Sequence, residues 1–214
     1  MKKLLIALVL LVIPTSVALA SHAWSVYHWR SDNLSPSVTD RTKGTFYNVD
    51  AAAQEWAASP SPIAPGLISK NNGNIKVSEA TSNFWLGLAR VFLDEDGHIT
   101  KGEVKLNTMI LSRPEYGPDA ADHVLCQELG HILGLDHQPD SDSCMNGADL
   151  GDYTSPNAHD FNTLLDIYAD HDGDAISDDD GPGGGPPCSK NPKPGCRAAE
   201  GWVIIDIFPI PEGD

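Results

Sequence analysis

The order of apolar patterns along the chain predicts an α/β domain. A strand-like run, SVYHWR, precedes a segment with apolar residues at helical spacing; several short strand-like runs and then two more helical segments follow. Helices interleaved with strands favour a sheet that is covered by helices. The 214 residues suffice for one such domain with an appendage.

The first 20 residues have the order of a secretory signal peptide. Lys2 and Lys3 precede the apolar run LLIALVLLVI, and a small-residue sequence, ALA, ends at Ala20. A membrane anchor is the alternative, but the run is shorter than the roughly 20 apolar residues of a spanning helix. We therefore expect cleavage after Ala20 and a secreted protein, extracellular or periplasmic, that leaves the membrane.

The first half of the domain has one helical pattern and several strand patterns. Residues 44–59 predict a helix, which the Pro-rich sequence SPSPIAP ends. The runs NIKVSEA and WLGLARVFL predict strands. GHITKGEVKLNTMIL predicts another, because Val104, Leu106 and Thr108 alternate with polar residues.

Two helices are predicted in the second half. Pro118 and Asp119 open the sequence DAADHVLCQELGHILG, and Gly134 ends it. After a polar loop, a third helix is expected to begin near Ser155 and Pro156 and to run through HDFNTLLDIYAD.

Composition divides the chain further. The signal peptide spans 1–20 and the domain 21–170. The sequence DGDAISDDDGPGGGPP makes 171–187 an acidic linker rich in Gly and Pro, and 188–214 a small C-terminal tail. The net charge is −16, which repels nucleic acid and anionic membranes, so we expect neither as a partner.

The sequence CQELGHILGLDH carries the strongest chemical signal. On a helix, Gln127 and His131 lie one turn apart on one face, so both can reach one ion. Glu128 follows Gln127 on the helix, and its carboxylate can reach a water molecule on that ion without being a ligand. Gly134 lets the chain reverse and brings His137 toward His131. Two neutral imidazoles with an open position are typical of catalytic zinc, and the carboxylate is suited to be the general base.

These residues resemble the metzincin zinc-binding motif, in which a histidine stands where this chain has Gln127. Among metzincins the resemblance is to the matrixins, whose motif is also rich in Gly and Leu. It covers roughly residues 24–170 and is specific over 126–145. It implies a twisted, largely parallel sheet with one antiparallel edge strand, three helices and a metalloendopeptidase activity that acts on protein or peptide substrates as a monomer.

Three other segments take part in this resemblance. CMNG resembles the Met-turn, which implies that Met145 lies under the metal. NAHDFNTLLDIY resembles the closing helix of the matrixin domain, including Asp160 near its start. GHITKGEVKLNT resembles the edge strand of the substrate cleft, where an extended peptide can add as a further strand. Family members are often held latent by a propeptide cysteine; the few residues between Ala20 and the first strand contain none, so we expect any control elsewhere.

The departure at Gln127 leaves the ligand set open. Gln127 can ligate weakly through its amide oxygen, which is harder than imidazole; the two histidines can hold the ion with extra waters; or the metal is absent. His123 lies eight residues before His131, about 12 Å along the helix axis, which is too far for one ion. His159 or His98 could arrive from elsewhere in the fold.

Two segments resemble calcium loops. DEDGHITKGE, residues 94–103, matches the later positions of an EF-hand loop, but Phe92 stands at the first ligand position and cannot coordinate. A hairpin turn at Asp96-Gly97 is the favoured interpretation. In DHDGDAISDDD, residues 170–180, calcium binding and a solvated acidic linker are equally compatible with the pattern, so calcium stays a second candidate cofactor beside zinc.

Four cysteines in an exported chain favour disulfides, and three pairings are possible. Cys188 and Cys196 close a short loop and can pair locally, which leaves Cys126 with Cys144. The resemblance points to the same pair, because a Met-turn beneath the helix brings the residue before Met145 close to the residue before Gln127. Two buried free thiols are the alternative.

Two functions therefore remain from the sequence. The first is a secreted zinc-dependent metalloendopeptidase in which Glu128 drives a metal-activated water. The second is a catalytically inactive protein of the same fold that binds extended peptides in the retained cleft.

Overall fold

A computed structural model provides the structure, and it describes residues 23–24, 27–66, 72–94, 96–139, 142–147, 150, 153–169 and 203–210. The signal peptide, the linker 171–187 and the pair Cys188 and Cys196 lie outside these residues. No helix in the described part of the chain combines the length and apolarity needed to cross a membrane.

Six strands form one sheet in the described residues. Their bounds are β1 His28–Trp29, β2 Val38–Asp40, β3 Ile75–Ala80, β4 Trp85–Leu93, β5 His98–Asn107 and β6 Val203–Pro209. The order across the sheet is β2-β3-β5-β4-β6, and the short β1 pairs with the beginning of β5. The predicted fold class is confirmed: a mixed α/β structure with a mostly parallel sheet and an antiparallel strand.

Strand direction singles out β4. The pairs β2–β3, β3–β5 and β1–β5 are parallel, whereas β4 is antiparallel to both β5 and β6. The prediction that GHITKGEVKLNT forms the edge strand of the cleft was wrong, because β5 is paired on both sides. The antiparallel strand of the domain is β4, which would form the edge of the sheet without β6. Strand β6, from the C-terminal tail, pairs with the outer side of β4.

Four α-helices occur in the described residues, where the sequence predicted three. They are α1 Val49–Ala57, α2 Thr108–Leu111, α3 Gly117–Ile132 and α4 Ala158–Tyr168. The additional helix is the single turn α2, which sequence alternation had assigned to the preceding strand. Asn107 stops that strand: its Nδ2 donates to the Ser82 and Trp85 carbonyls, at 2.8 and 2.7 Å.

The predicted first helix is present but shorter than 44–59. It begins at Val49 because the Asn48 side chain accepts a hydrogen bond from Ala51 N at 3.1 Å and caps the first turn. Val49, Ala53 and Trp56 lie on its buried face. The apolar Phe46 precedes the cap and does not belong to the helix.

The third predicted helix begins two residues later than Pro156. Asn157 caps α4 through a reciprocal capping box with Asp160, in which each side chain binds the other residue's backbone N–H. This local pattern places the buried Asp160 carboxylate at the start of the helix.

The end of α3 is held by aromatic residues from other elements. The Trp29 indole donates to the Ile132 carbonyl at 2.8 Å, and the Tyr168 hydroxyl donates to the Leu133 carbonyl, also at 2.8 Å. Burial raises the pKa of Tyr168, so the hydroxyl retains the proton it donates. The same oxygen accepts from Trp29 N at 3.1 Å and thereby joins β1, α3 and α4.

The turn between β4 and β5 is the predicted hairpin turn. Gly97 has a φ of 87°, and Asp94 Oδ1 accepts from the backbone N–H groups of Asp96 and His98. Because the backbone at position 97 lies in the left-handed region, glycine is the favoured residue there.

Tyr168→Phe should lower the free energy of unfolding by about 2 kcal/mol, because it leaves a buried carbonyl and a buried N–H without their hydroxyl partner. Denaturant unfolding measures this loss. Tyr153→Phe is the matched control, since that side chain is 41% exposed, and it should change stability by less than about 0.5 kcal/mol. Equal stability of the two variants would contradict a structural role for the Tyr168 hydroxyl.

Candidate metal centre

Helix α3 carries three of the predicted site residues. Gln127, Glu128 and His131 lie in its last two turns, and all three side chains are fully buried. The residues are therefore held by packing before any ligand arrives, and a polar cluster of this kind inside a protein requires partners for its charges and hydrogen bonds.

The helix ends as predicted at Gly134. Its φ is 98°, Gly134 N donates to the His131 carbonyl at 3.0 Å, and Leu135 N donates to the Gly130 carbonyl at 3.1 Å. This pair of bonds is a Schellman motif, which turns the chain back on the helix. The reversal brings His137 to His131, as the sequence predicted.

The two histidines present ring nitrogens to each other. His131 Nδ1 lies 2.8 Å from the Leu135 carbonyl, to which it donates, so Nε2 of the neutral ring carries the lone pair. His131 Nε2 and His137 Nε2 are 3.2 Å apart. Two imidazole nitrogens bound to one tetrahedral zinc ion at 2.0–2.1 Å stand about 3.3 Å apart, so this spacing fits a shared ion.

The nitrogen and the oxygen of the Gln127 side-chain amide have different surroundings. Its Nε2 donates to the Cys144 and Asn146 carbonyls, both at 3.0 Å, which ties α3 to the loop carrying Met145. Its Oε1 is buried and has no hydrogen-bond partner among the described residues. Because the two carbonyls occupy the nitrogen, the oxygen is the atom of this amide that is available as a metal donor.

The other histidines considered as ligands have different neighbours. His123 Nε2 lies 3.2 Å from the Asn146 carbonyl, and His159 Nδ1 lies 2.7 Å from Gln138 Oε1. His98 packs edge-on against the His28 ring in the first strand pair. Each of these three rings therefore has a neighbour other than the His131–His137 pair.

Met145 packs against α3, where the Met-turn resemblance places it. A Cβ at Gly130 would overlap the Met145 sulfur and the Trp56 indole, so glycine is required for this close approach. Gly147, two residues further on, lies against the His137 ring, and Gln138 N donates to the Met145 carbonyl at 3.0 Å. The loop that carries Met145 thus contacts both helix α3, which carries His131, and the segment that carries His137.

A disulfide joins Cys126 to Cys144, the pairing that the sequence predicted, with the Cα atoms 6.0 Å apart. Both cysteines are fully buried. The disulfide links the residue before Gln127 to the residue before Met145. The hydrogen bond from the Gln127 amide nitrogen to the Cys144 carbonyl joins the same two segments.

A buried carboxylate network that sequence reasoning missed holds the other side of this loop. Asp160 accepts from Gln138 Nε2 at 2.5 Å and from the Ser143 hydroxyl at 2.6 Å, and Ser143 Oγ accepts from Met145 N at 2.9 Å. The sequence offered Asp160 only through family resemblance, and no local pattern identified Gln138 or Ser143 as its donors.

Strand β4 lies directly beneath Glu128. A Cβ at Gly87 would overlap the Glu128 carboxylate and the Val124 side chain, so α3 rests on the backbone of β4 at this glycine. The candidate general base therefore contacts β4, which pairs with β5 along one edge and with the C-terminal strand β6 along the other.

A second group of possible ligands lies at the tip of the β4–β5 hairpin. Ligand atoms of Asp94, Asp96 and His98 lie within 4.8 Å of one another. Asp94 Oδ1 already accepts two backbone hydrogen bonds there, so the cluster is explained by the turn.

The structure therefore defines a mixed α/β protein in which helix α3 carries His131 and the buried Glu128, and the chain that follows the helix brings His137 to His131 and joins Cys144 to Cys126. No protein-family model matches the chain, and no curated protein matches its sequence. Among solved structures it is similar to one titled "Structure of myroilysin", at 13% identity and a TM-score of 0.45, covering 68% of this chain and 97% of that one. A similarity this loose carries no functional argument.

Replacing both Cys126 and Cys144 with alanine should lower the free energy of unfolding by about 3 kcal/mol, because the crosslink closes a loop of 18 residues' separation. Thermal or denaturant unfolding of the double variant measures the loss. Peptide mapping of the non-reduced wild-type protein should recover Cys126 joined to Cys144, and recovery of either residue in another pairing would contradict the structure.

Proposed function

We propose that the protein is a secreted, zinc-dependent metalloendopeptidase of the matrixin-like metzincin type. The observation that carries this proposal is the 3.2 Å spacing of His131 Nε2 and His137 Nε2 beside the buried Glu128. The motif resemblance and the helix-to-loop reversal at Gly134 support it. Export as a monomer without nucleic-acid partners is part of the same proposal and rests on the sequence.

His131 and His137 would hold the ion through Nε2, with Gln127 Oε1 as a third donor. The histidines fit because both are neutral nitrogen donors at the required spacing. The amide oxygen fits because it is buried and without a partner among the described residues, a state that costs about 1–3 kcal/mol unless a ligand relieves it. An oxygen donor in this place would make zinc binding weaker than a third imidazole.

We assign Glu128 the role of general base because it follows Gln127 in the motif and its carboxylate is buried one turn before His131. When bound, zinc would polarise the peptide carbonyl and lower the pKa of a water molecule. The Glu128 carboxylate would then accept the proton from the attacking water and return it to the leaving amine nitrogen. Its contact with the β4 backbone at Gly87 fixes the carboxylate, so little reorganisation is needed during proton transfer.

Gln127→His should increase zinc affinity about tenfold or more, because imidazole is a better donor to zinc than an amide oxygen. Competition with a chromogenic chelator measures the affinity. His123→Gln is the control: it changes a neighbouring buried histidine that contacts Asn146, and it should leave zinc affinity unchanged. Unchanged affinity in Gln127→His would remove Gln127 from the ligand set.

Glu128→Gln should reduce peptide hydrolysis by at least about a hundredfold while the zinc content stays at the wild-type level, because the residue moves a proton and is not a ligand. Elemental analysis and cleavage of a quenched fluorescent peptide library provide the two measurements. Zinc content that falls with activity would instead make Glu128 a ligand. Zinc-loaded protein that cleaves no library peptide, either intact or after cutting between residues 181 and 187, would favour the peptide-binding alternative.

A further inference from the structure

Strand β6 covers the outer edge of β4. Its residues pair antiparallel with β4 from Trp85 to Phe92, and Ile210 N adds a bond to the Phe84 carbonyl at 3.4 Å. An exposed strand edge is the place where an extended peptide adds to a sheet by backbone hydrogen bonds. The C-terminal segment therefore occupies the position that such a peptide would take.

Phe208 anchors β6 beside the candidate general base. It pairs with Gly87, the residue whose backbone contacts Glu128. Its side chain is 3% exposed and packs edge-on against the His123 ring, with centroids 5.8 Å apart. Directly opposed residues on neighbouring strands project from the same face, so Phe208 fills the space on the helix side of the sheet next to Glu128.

The candidate general base is buried in the arrangement that has β6 on the sheet. Glu128 and His131 have no exposed surface, and a peptide must come within reach of the Glu128 carboxylate to be cut. Helix α3 cannot open readily because a disulfide and several buried hydrogen bonds hold it. By contrast, β6 is paired on one side, and its Ile207 is 44% exposed. Strand β6 is therefore the element that can leave by breaking the pairing along one edge and the contacts of Phe208.

We propose that residues 203–209 act as an internal competitor for the β4 edge, and that an extended peptide substrate displaces them. This inference rests on the proposed function and names its substrate class: an extended segment with a large apolar side chain at the position opposite Gly87, where Phe208 now lies. A tethered strand competes at an effective concentration of about millimolar, so the protein is self-inhibited in its intact form and active when the strand is released.

The first test compares Phe208→Ala with Ile207→Ala in the full chain. Loss of the buried anchor should raise binding of a labelled peptide with the sequence VIIDIFPI about tenfold, since burial of a phenylalanine is worth at least one decade in an equilibrium. Ile207→Ala changes an exposed side chain on the same strand and should bind the labelled peptide as weakly as wild type. Amide hydrogen exchange at residues 88–92 should accelerate in Phe208→Ala alone.

The second test does not depend on a core substitution. A recognition sequence for a specific protease is inserted between residues 181 and 187, and the folded protein is cut there. After cutting, dilution to about micromolar concentration should release the strand, because the effective concentration supplied by the tether is gone. Binding of the labelled VIIDIFPI peptide should then rise about tenfold, and peptide cleavage should rise with it and fall again when unlabelled VIIDIFPI is added.

The outcomes separate the two proposals. Labelled-peptide binding and β4 exchange that match wild type in both Phe208→Ala and the cut protein would overturn the competitor role of β6. Increased binding with no cleavage by any form would preserve the competitor role and count against the peptidase. Increased binding accompanied by cleavage supports both.

Discussion

The last turn of α3 is the part of the fold on which the site depends. The carbonyls at the end of an α-helix have no partner within it, and buried ones need partners from elsewhere. Here His131 and Gly130 carbonyls receive the backbone bonds of the Schellman turn, while Ile132 and Leu133 receive the Trp29 indole and the Tyr168 hydroxyl. The Gly134 carbonyl accepts from Trp24 N at 2.6 Å. Strand β1 and helix α4 thus fix the direction in which the chain leaves the helix.

That direction determines the distance between the two histidines. His131 is rigid because its ring bonds to the Leu135 carbonyl, and Leu135 is itself placed by the turn. His137 follows two residues later and is backed by Gly147 of the Met145 loop. The loop is in turn held from α3 by the disulfide and the Gln127 amide, and from α4 by Asp160. The site is consequently preorganised by the disulfide, by Asp160 and by the Nε2 atom of Gln127, none of which would itself bind a metal.

Local sequence patterns predicted the parts of this arrangement that have local causes. Residue spacing on a helix and a glycine at its end were enough to predict that His131 and His137 meet, and cysteine spacing together with the Met-turn resemblance predicted the observed disulfide. Helix starts were less accurate, because side-chain caps such as Asn48 decide them. The Asp160 network could not be predicted, since Gln138, Ser143 and Asp160 meet only when loop and helix have packed. Pairing between β4 and β6 was also missed, because strands more than a hundred residues apart in sequence leave no periodic signal of their partnership.

Without β6, strand β4 would form one edge of the sheet. A long unpaired strand edge promotes association with other chains, and natural proteins cover such edges. Strand β6 covers the β4 edge that runs beside Glu128 at Gly87, and β6 becomes the edge strand of the described sheet in its place. A permanent cover would protect the sheet and block the site together. A cover formed by a C-terminal strand that pairs with β4 along one side and buries the ring of Phe208 protects the β4 edge while remaining exchangeable for another extended segment. Edge protection and access to the buried glutamate are in this way controlled by one strand.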